Sequence, residues 1–109
     1  MTSPITHISP EATDVRRRER PDDVVLLDCR EHGELALASI DGALHIPMLE
    51  VPGRCGELNA EKTHIVFCHH GIRSMNVTAF LLARGFRCEN MTGGIDSWSR
   101  TVDPGVPRY

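Results

Sequence analysis

The sequence predicts an α/β domain with a mainly parallel sheet, and three observations carry that reading. Two apolar runs, Val24-Val25-Leu26-Leu27 and Ile65-Val66-Phe67-Cys68, have the composition of strands covered on both faces. Helical patterns alternate with the strand candidates along the chain. A strand, a tight loop and a helix follow one another directly from Ile65 onward.

The elements fall in order. Residues 5–8 read as a short strand. Ser9, Pro10 and Glu11 place a capping side chain, a first-turn proline and an acid in the order that opens a helix, which ends near Arg20-Pro21. The first apolar run is bounded by Asp23 and Asp28. Before the second run come a short helix at 31–38, an extended piece at 43–46 and a turn-rich or helical stretch at 48–58, together long enough for a crossover. A helix over 74–84 follows, with Met75, Ala79, Phe80 and Leu82 on its apolar stripe and Gly85 as its stop. Residues 86–91 supply another strand, Gly93-Gly94 a turn and 95–101 a last helix anchored by Trp98.

Size and charge narrow the function. A chain of 109 residues, 40% of them hydrophobic, makes one domain over 1–109. No apolar run exceeds Ala79 to Ala83, far short of the ~20 residues a membrane span needs, so no membrane partner is expected. Twelve basic against fifteen acidic residues, a formal charge of -3, and only three Phe, one Trp and one Tyr argue against a nucleic-acid partner. The opening residues 1–7 lack the basic start and apolar stretch of a secretory signal, so the expectation is a cytoplasmic protein. In that compartment Cys29, Cys55, Cys68 and Cys88 stay reduced.

Cys68 carries the chemistry. It ends a central strand candidate just before a helix, where an α/β sheet binds its ligands and helix amides point into the crevice. A thiol there has its charged, nucleophilic form favoured. Gly71 allows a positive φ that turns successive N–H groups inward, and Arg73 offers a forked cation to an oxyanion. An inert buried cysteine is the alternative, and the combination with Gly71, Arg73 and the following helix outweighs it.

These residues carry a resemblance. The segment Cys68-His69-His70-Gly71-Ile72-Arg73-Ser74 resembles the active-site loop of the rhodanese family of sulfurtransferases. Leu27-Asp28-Cys29-Arg30-Glu31, Gly42-Ala43-Leu44-His45-Ile46-Pro47 and Gly93-Gly94-Ile95-Asp96-Ser97-Trp98 resemble its other motifs. The closing stretch from Val102 to Tyr109 resembles the tail of bacterial single-domain members. The resemblance implies a rhodanese-like three-layer fold, a parallel central sheet flanked by helices. It implies that Cys68 takes sulfane sulfur from a small donor such as thiosulfate and passes it, as a persulfide, to a thiol or cyanide acceptor, a protein thiol included. No cofactor is implied. His69, His70, Gly71, Ile72, Arg73 and Ser74 would form the loop and bind substrate. Ser74 has two readings, a hydroxyl donated toward the sulfur or a helix cap. Asp28 and Arg30 would form a supporting ionic network behind the loop. One departure stands out: Ala38-Ser39-Ile40 occupies the place of a Gly-His-Ile found in many members, which puts local hydrogen bonding in question.

Rival readings are weighed on the same residues. Cysteine-dependent phosphatases and arsenate reductases are the chemical rivals, but phosphatases place five residues between cysteine and arginine and this chain has four. A non-enzymatic partner-binding or sulfur-carrier module is the other alternative, weakened by the intact Cys68. No metal site is expected. Neighbouring His69 and His70 should point different ways, and the cysteines lie 26, 13 and 20 residues apart, without paired zinc spacing. The histidines line the pocket mouth or sit as solvated loop residues. Cys29, Cys55 and Cys88 read as packing residues or resolving thiols. The Arg16-Arg17-Arg18 run reads as a solvated helix end.

Overall fold

The computed structural model describes residues 4–109. Met1, Thr2 and Ser3, the opening of the segment read against a secretory signal, lie outside the described residues. The order of elements is β1 (His7–Ile8), α1 (Pro10–Glu19), β2 (Val24–Asp28), α2 (His32–Leu35), β3 (Leu44–His45), α3 (Val51–Arg54), β4 (Thr63–Phe67), α4 (Ile72–Ala83), β5 (Arg87–Met91) and α5 (Gly94–Thr101). Single 3-10 turns flank α3 on both sides. The five strands form one sheet in the order β1-β5-β4-β2-β3, and each neighbouring pair runs parallel.

Side chains alternate across this sheet and build two cores, as a parallel sheet covered on both faces requires. Leu26, Ile65, Phe67 and Met91 point to one face and meet Ile95 and Trp98 of α5. Leu27, Val66 and Cys68 point to the other and meet Val77 and Leu81 of α4 and Val51 of α3. Helix α1 packs beside α5, and Arg17 lies 5.1 Å over the Trp98 ring. Three layers result, helices on either side of a parallel sheet, the expected fold. Among the described residues no helix is long and apolar enough to cross a membrane.

Topology places the site. The chain moves outward from β2 to β3, then crosses back over β2 to enter β4, so the direction of winding reverses beside β4. Ligands of open α/β sheets bind at the carboxyl ends of strands where this reversal occurs. Residues 67 and 28 are in register, which brings the residues after β2, Cys29 and Arg30, beside Cys68.

Two elements differ from the sequence reading. The helix expected at 31–38 closes only one turn, with the Glu34 carboxylate accepting the Glu31 N–H at 3.0 Å. The chain then leaves the helix to bury Ala38 and Ile40, and the Ala38 carbonyl accepts from Arg30 at 2.8 Å. That bond supplies local support in the segment lacking the family histidine. In α4 the buried stripe is Ser74, Val77, Thr78 and Leu81, while Met75, Ala79, Phe80 and Leu82 are only partly covered. An apolar pattern ranks hydroxyl residues outside. Here they are inside because their hydroxyls are satisfied, Thr78 donating to the Ser74 carbonyl at 2.7 Å.

The double core makes Ile65, fully buried, a costly position. Ile65→Ala is expected to lower unfolding free energy by about 2 to 5 kcal/mol. Leu49→Ala, at a residue 83% exposed, should change it by less than about 0.5 kcal/mol. Urea denaturation of the two variants checks the contrast.

Candidate active site

Cys68 follows β4 directly and is 1% exposed. Its sulfur accepts the Gly71 N–H at 3.1 Å and the Ser74 N–H at 3.4 Å. The loop achieves this by turning its carbonyls the other way. Ile95 donates its N–H to the Cys68 carbonyl at 2.8 Å, and Asp96 donates to the His69 carbonyl at 3.1 Å. The first turn of α5 therefore holds the outer side of the loop while the amides on the inner side face sulfur. Both ends of that arrangement depend on glycine. Gly71, at φ +100°, is the cap residue just before α4, so Ser74 is not the helix cap. Gly94, at φ +61°, has no room for a side chain: a Cβ would lie 2.4 Å from the Cys68 carbonyl oxygen and 2.5 Å from that of His69.

Burial alone would push the Cys68 thiol up. Hydrogen bonds from the Ser74 hydroxyl and from the amides of Ser74, Gly71 and His70 overcome it, so the thiol sits below its ordinary value. Cys29 and Cys88 go the opposite way. Desolvation raises both, Cys88 to about 11, and each thiol donates to a backbone carbonyl, of Phe67 and Thr78 respectively, at 3.4 Å. These two are packing residues. Cys55, half-buried on the 3-10 turn after α3, donates to the Pro52 carbonyl at 3.7 Å. All four cysteines are free thiols.

Ser74 has one proton and two neighbours. Its hydroxyl donates to the Asn90 side-chain oxygen and receives the Cys68 thiol at 3.4 Å. When Cys68 loses its proton, the hydroxyl can rotate toward the sulfur. Asn90, on β5, is 2% exposed and its amide also reaches the Gly71 carbonyl at 3.4 Å. Sequence reasoning missed Asn90, because a lone polar residue in a strand carries no local signal of its partner.

Behind the loop, Asp28 and Arg30 form the expected buried pair, at 2.7 Å and 1% and 0% exposed. Arg30 is satisfied on all sides. It donates to Asp28, to the carbonyls of Glu34 and Ala38, and to the Tyr109 hydroxyl at 2.9 Å. Such saturation is what a buried guanidinium requires.

At the mouth, Arg73 is bound bidentately by Glu34, at 2.6 and 3.0 Å. Arg73 in turn holds the Glu34 carboxyl down to about 2. Tyr109 donates its hydroxyl to the same carboxylate at 2.6 Å and stacks on His69, centroids 3.8 Å apart and planes 6° off parallel. His69 is half-buried, and His70 and Ile72 are exposed. Glu34 and Tyr109 were not singled out from sequence.

His69 and His70 do not diverge as expected. Their rings lie 3.9 Å apart, and with Asp96 they bring three ligand atoms within 4.8 Å of one another. The carboxylate in that set already binds Arg108 at 2.8 Å and faces Arg100 at 3.7 Å. A wide hollow lined by Arg16, Glu19, Asp23, Glu61 and Arg87 lies at the other end of the strands, away from Cys68. Of its basic residues, Arg16 comes from the Arg run and pairs with Glu89, while Arg87 opens β5; Arg18 of the run pairs with Asp14.

Comparison with known proteins agrees with this geometry. The Rhodanese-like domain family matches residues 11–101, and the chain belongs to that family. A sulfurtransferase of Allochromatium vinosum is 36% identical over 80 residues, covering 72% of this chain and 75% of its own. Thiosulfate sulfurtransferase GlpE of Actinobacillus pleuropneumoniae is 31% identical over 106 residues, with 95% of each chain covered. Among solved structures, a rhodanese-like domain protein from Staphylococcus aureus superposes with a TM-score of 0.83 at 27% identity, over 96% of this chain and 99% of its own.

Gly94→Ala is expected to abolish reaction of Cys68 with iodoacetamide at neutral pH, because the loop carbonyls must move and the amides move with them. Ser74→Ala keeps the amides and should slow alkylation only about three- to tenfold, the net effect of one ordinary hydrogen bond. Peptide mass mapping of the alkylated cysteine distinguishes the two.

Proposed function

We propose that the protein is a sulfurtransferase that carries sulfane sulfur on Cys68. The observation that carries the reading is the convergence of loop amides on a buried sulfur whose ionised form they favour. An attacking thiolate needs that stabilisation, and so does the persulfide anion it becomes.

With thiosulfate as donor, the Cys68 thiolate attacks the outer sulfur. A new sulfur–sulfur bond forms on the enzyme, the bond to the sulfonate breaks, and its electron pair leaves as sulfite. The enzyme is left as a Cys68 persulfide anion. A nucleophilic acceptor, cyanide or a thiolate including a protein thiol, then attacks the terminal sulfur and returns the cysteine as thiolate. No net oxidation is needed. Gly71 and Ser74 hold the negative sulfur in both states, and Arg73 faces the anionic end of the donor. Ile72 and His70 lie exposed on the same loop, at the entrance the acceptor would use.

Four residues between Cys68 and Arg73 support sulfur chemistry over phosphate. The short ring presents its amides to one sulfur atom, whereas a tetrahedral phosphate needs a wider one. A purely partner-binding role is disfavoured by the same geometry, since nothing in binding requires an anion-stabilised thiol.

Thiocyanate formation from thiosulfate and cyanide tests the reading. Cys68→Ser is expected to reduce turnover to background and Cys55→Ser to leave it within twofold. An aryl phosphate should not be hydrolysed. Turnover retained in Cys68→Ser, or aryl phosphate consumed faster than thiosulfate, would overturn the proposal.

A further inference from the structure

We propose that Glu34 and Tyr109 form a latch on Arg73 that sets donor specificity, holding the site back from dianionic donors by occupying the arginine with an internal carboxylate. The inference rests on the sulfurtransferase reading above and concerns which donor that site prefers.

The geometry is a chain of contacts across the mouth. Both Glu34 carboxylate oxygens are taken by Arg73, and one of them also accepts the Tyr109 hydroxyl. That hydroxyl accepts in turn from Arg30. The Tyr109 ring covers His69, the residue next to the nucleophile. The pair is largely shielded, with side-chain exposures of 31% for Arg73 and 17% for Glu34.

Three anchors hold the strap that delivers Tyr109. Val106 inserts into the core at 9% exposure, Arg108 pairs with Asp96 on α5 at 2.8 Å, and Tyr109 ends between Arg30 and Glu34. The ring is thus fixed in place by contacts on both sides of the loop.

A bidentate carboxylate leaves Arg73 with donors to spare but with its charge compensated. A donor with a doubly charged thiosulfate head meets an ion pair, not a free cation, and meets Glu34 as a like charge. Glu34 stays ionised through the neutral range, its carboxyl being held down to about 2. A donor with less charge at the leaving end loses little by this arrangement. Glu34 is therefore the specificity-determining residue, and Tyr109 a positioning residue that acts through it.

The test compares two donors that react by the same step. Thiosulfate releases sulfite. Methanethiosulfonate, a monoanion, gives the same Cys68 persulfide and releases methanesulfinate. Glu34→Gln keeps the shape and removes the charge. It is expected to lower KM for thiosulfate by about three- to fivefold, the scale of one partly screened charge, while changing KM for methanethiosulfonate by less than twofold and leaving kcat for both nearly constant. Tyr109→Phe, which loses only the hydroxyl, should shift KM for thiosulfate in the same direction by a smaller factor.

Higher KM for thiosulfate in Glu34→Gln, or equal changes for the two donors, would overturn the latch. Either result would make Glu34 a support for the shape of Arg73. Thermal melting of both variants separates folding loss from specificity, because a merely structural role lowers Tm and kcat together and leaves the donor ratio untouched. Failure of the sulfurtransferase reading has a separate signature. Wild-type protein would then gain no sulfur at Cys68 from either donor, as read by peptide mass.

Discussion

The loop after β4 has to face two ways, and everything at the site depends on that division. Its carbonyls, at Cys68 and His69, are bound by the first amides of α5. Its own amides, at Gly71 and Ser74, are thereby left to converge on one sulfur atom. Backbone polar groups that are buried must be paired, so the outward carbonyls need α5 at contact distance. That contact excludes any side chain at residue 94, where a Cβ would overlap the carbonyl oxygens. The Gly93-Gly94 pair that the sequence marks as a turn is thus also the seat of the nucleophile loop.

The same constraint explains why one cysteine among four is set apart. Cys29 lies one strand over and is equally buried, yet it meets a carbonyl, not an amide, and its thiol is pushed up. Cys88 meets the Thr78 carbonyl with the same result. Burial by itself would treat all three alike. What differs is the polarity of the backbone group that each sulfur meets, and the turn into α4 presents its N–H groups to Cys68.

Much of this was legible in sequence because it is local. Apolar runs located β2 and β4, and Cys68, Gly71 and Arg73 sit within six residues of one another on a single loop. The buried Asp28–Arg30 pair is local too. The unread part is long-range. Glu34 meets Arg73 across 39 residues and Tyr109 across 75, and Ser74 meets Asn90 across 16. No periodicity in a polar residue announces such a partner. The buried face of α4 was misread for a related reason: Ser74 and Thr78 count as polar in a pattern but are satisfied within the fold. His69 and His70 were expected to diverge as neighbours in a loop, and stacking with Tyr109 instead holds the first of them in a layered set of rings.

The central claim is that the loop lowers the Cys68 thiol below its ordinary value despite its burial. Ultraviolet absorbance of the thiolate, titrated in wild-type protein and in Cys68→Ser, measures it directly as the difference between the two curves. The account predicts a Cys68 midpoint below the ~8.5 of an unperturbed thiol. A midpoint at or above that value would mean that burial wins over the loop amides, and would contradict it.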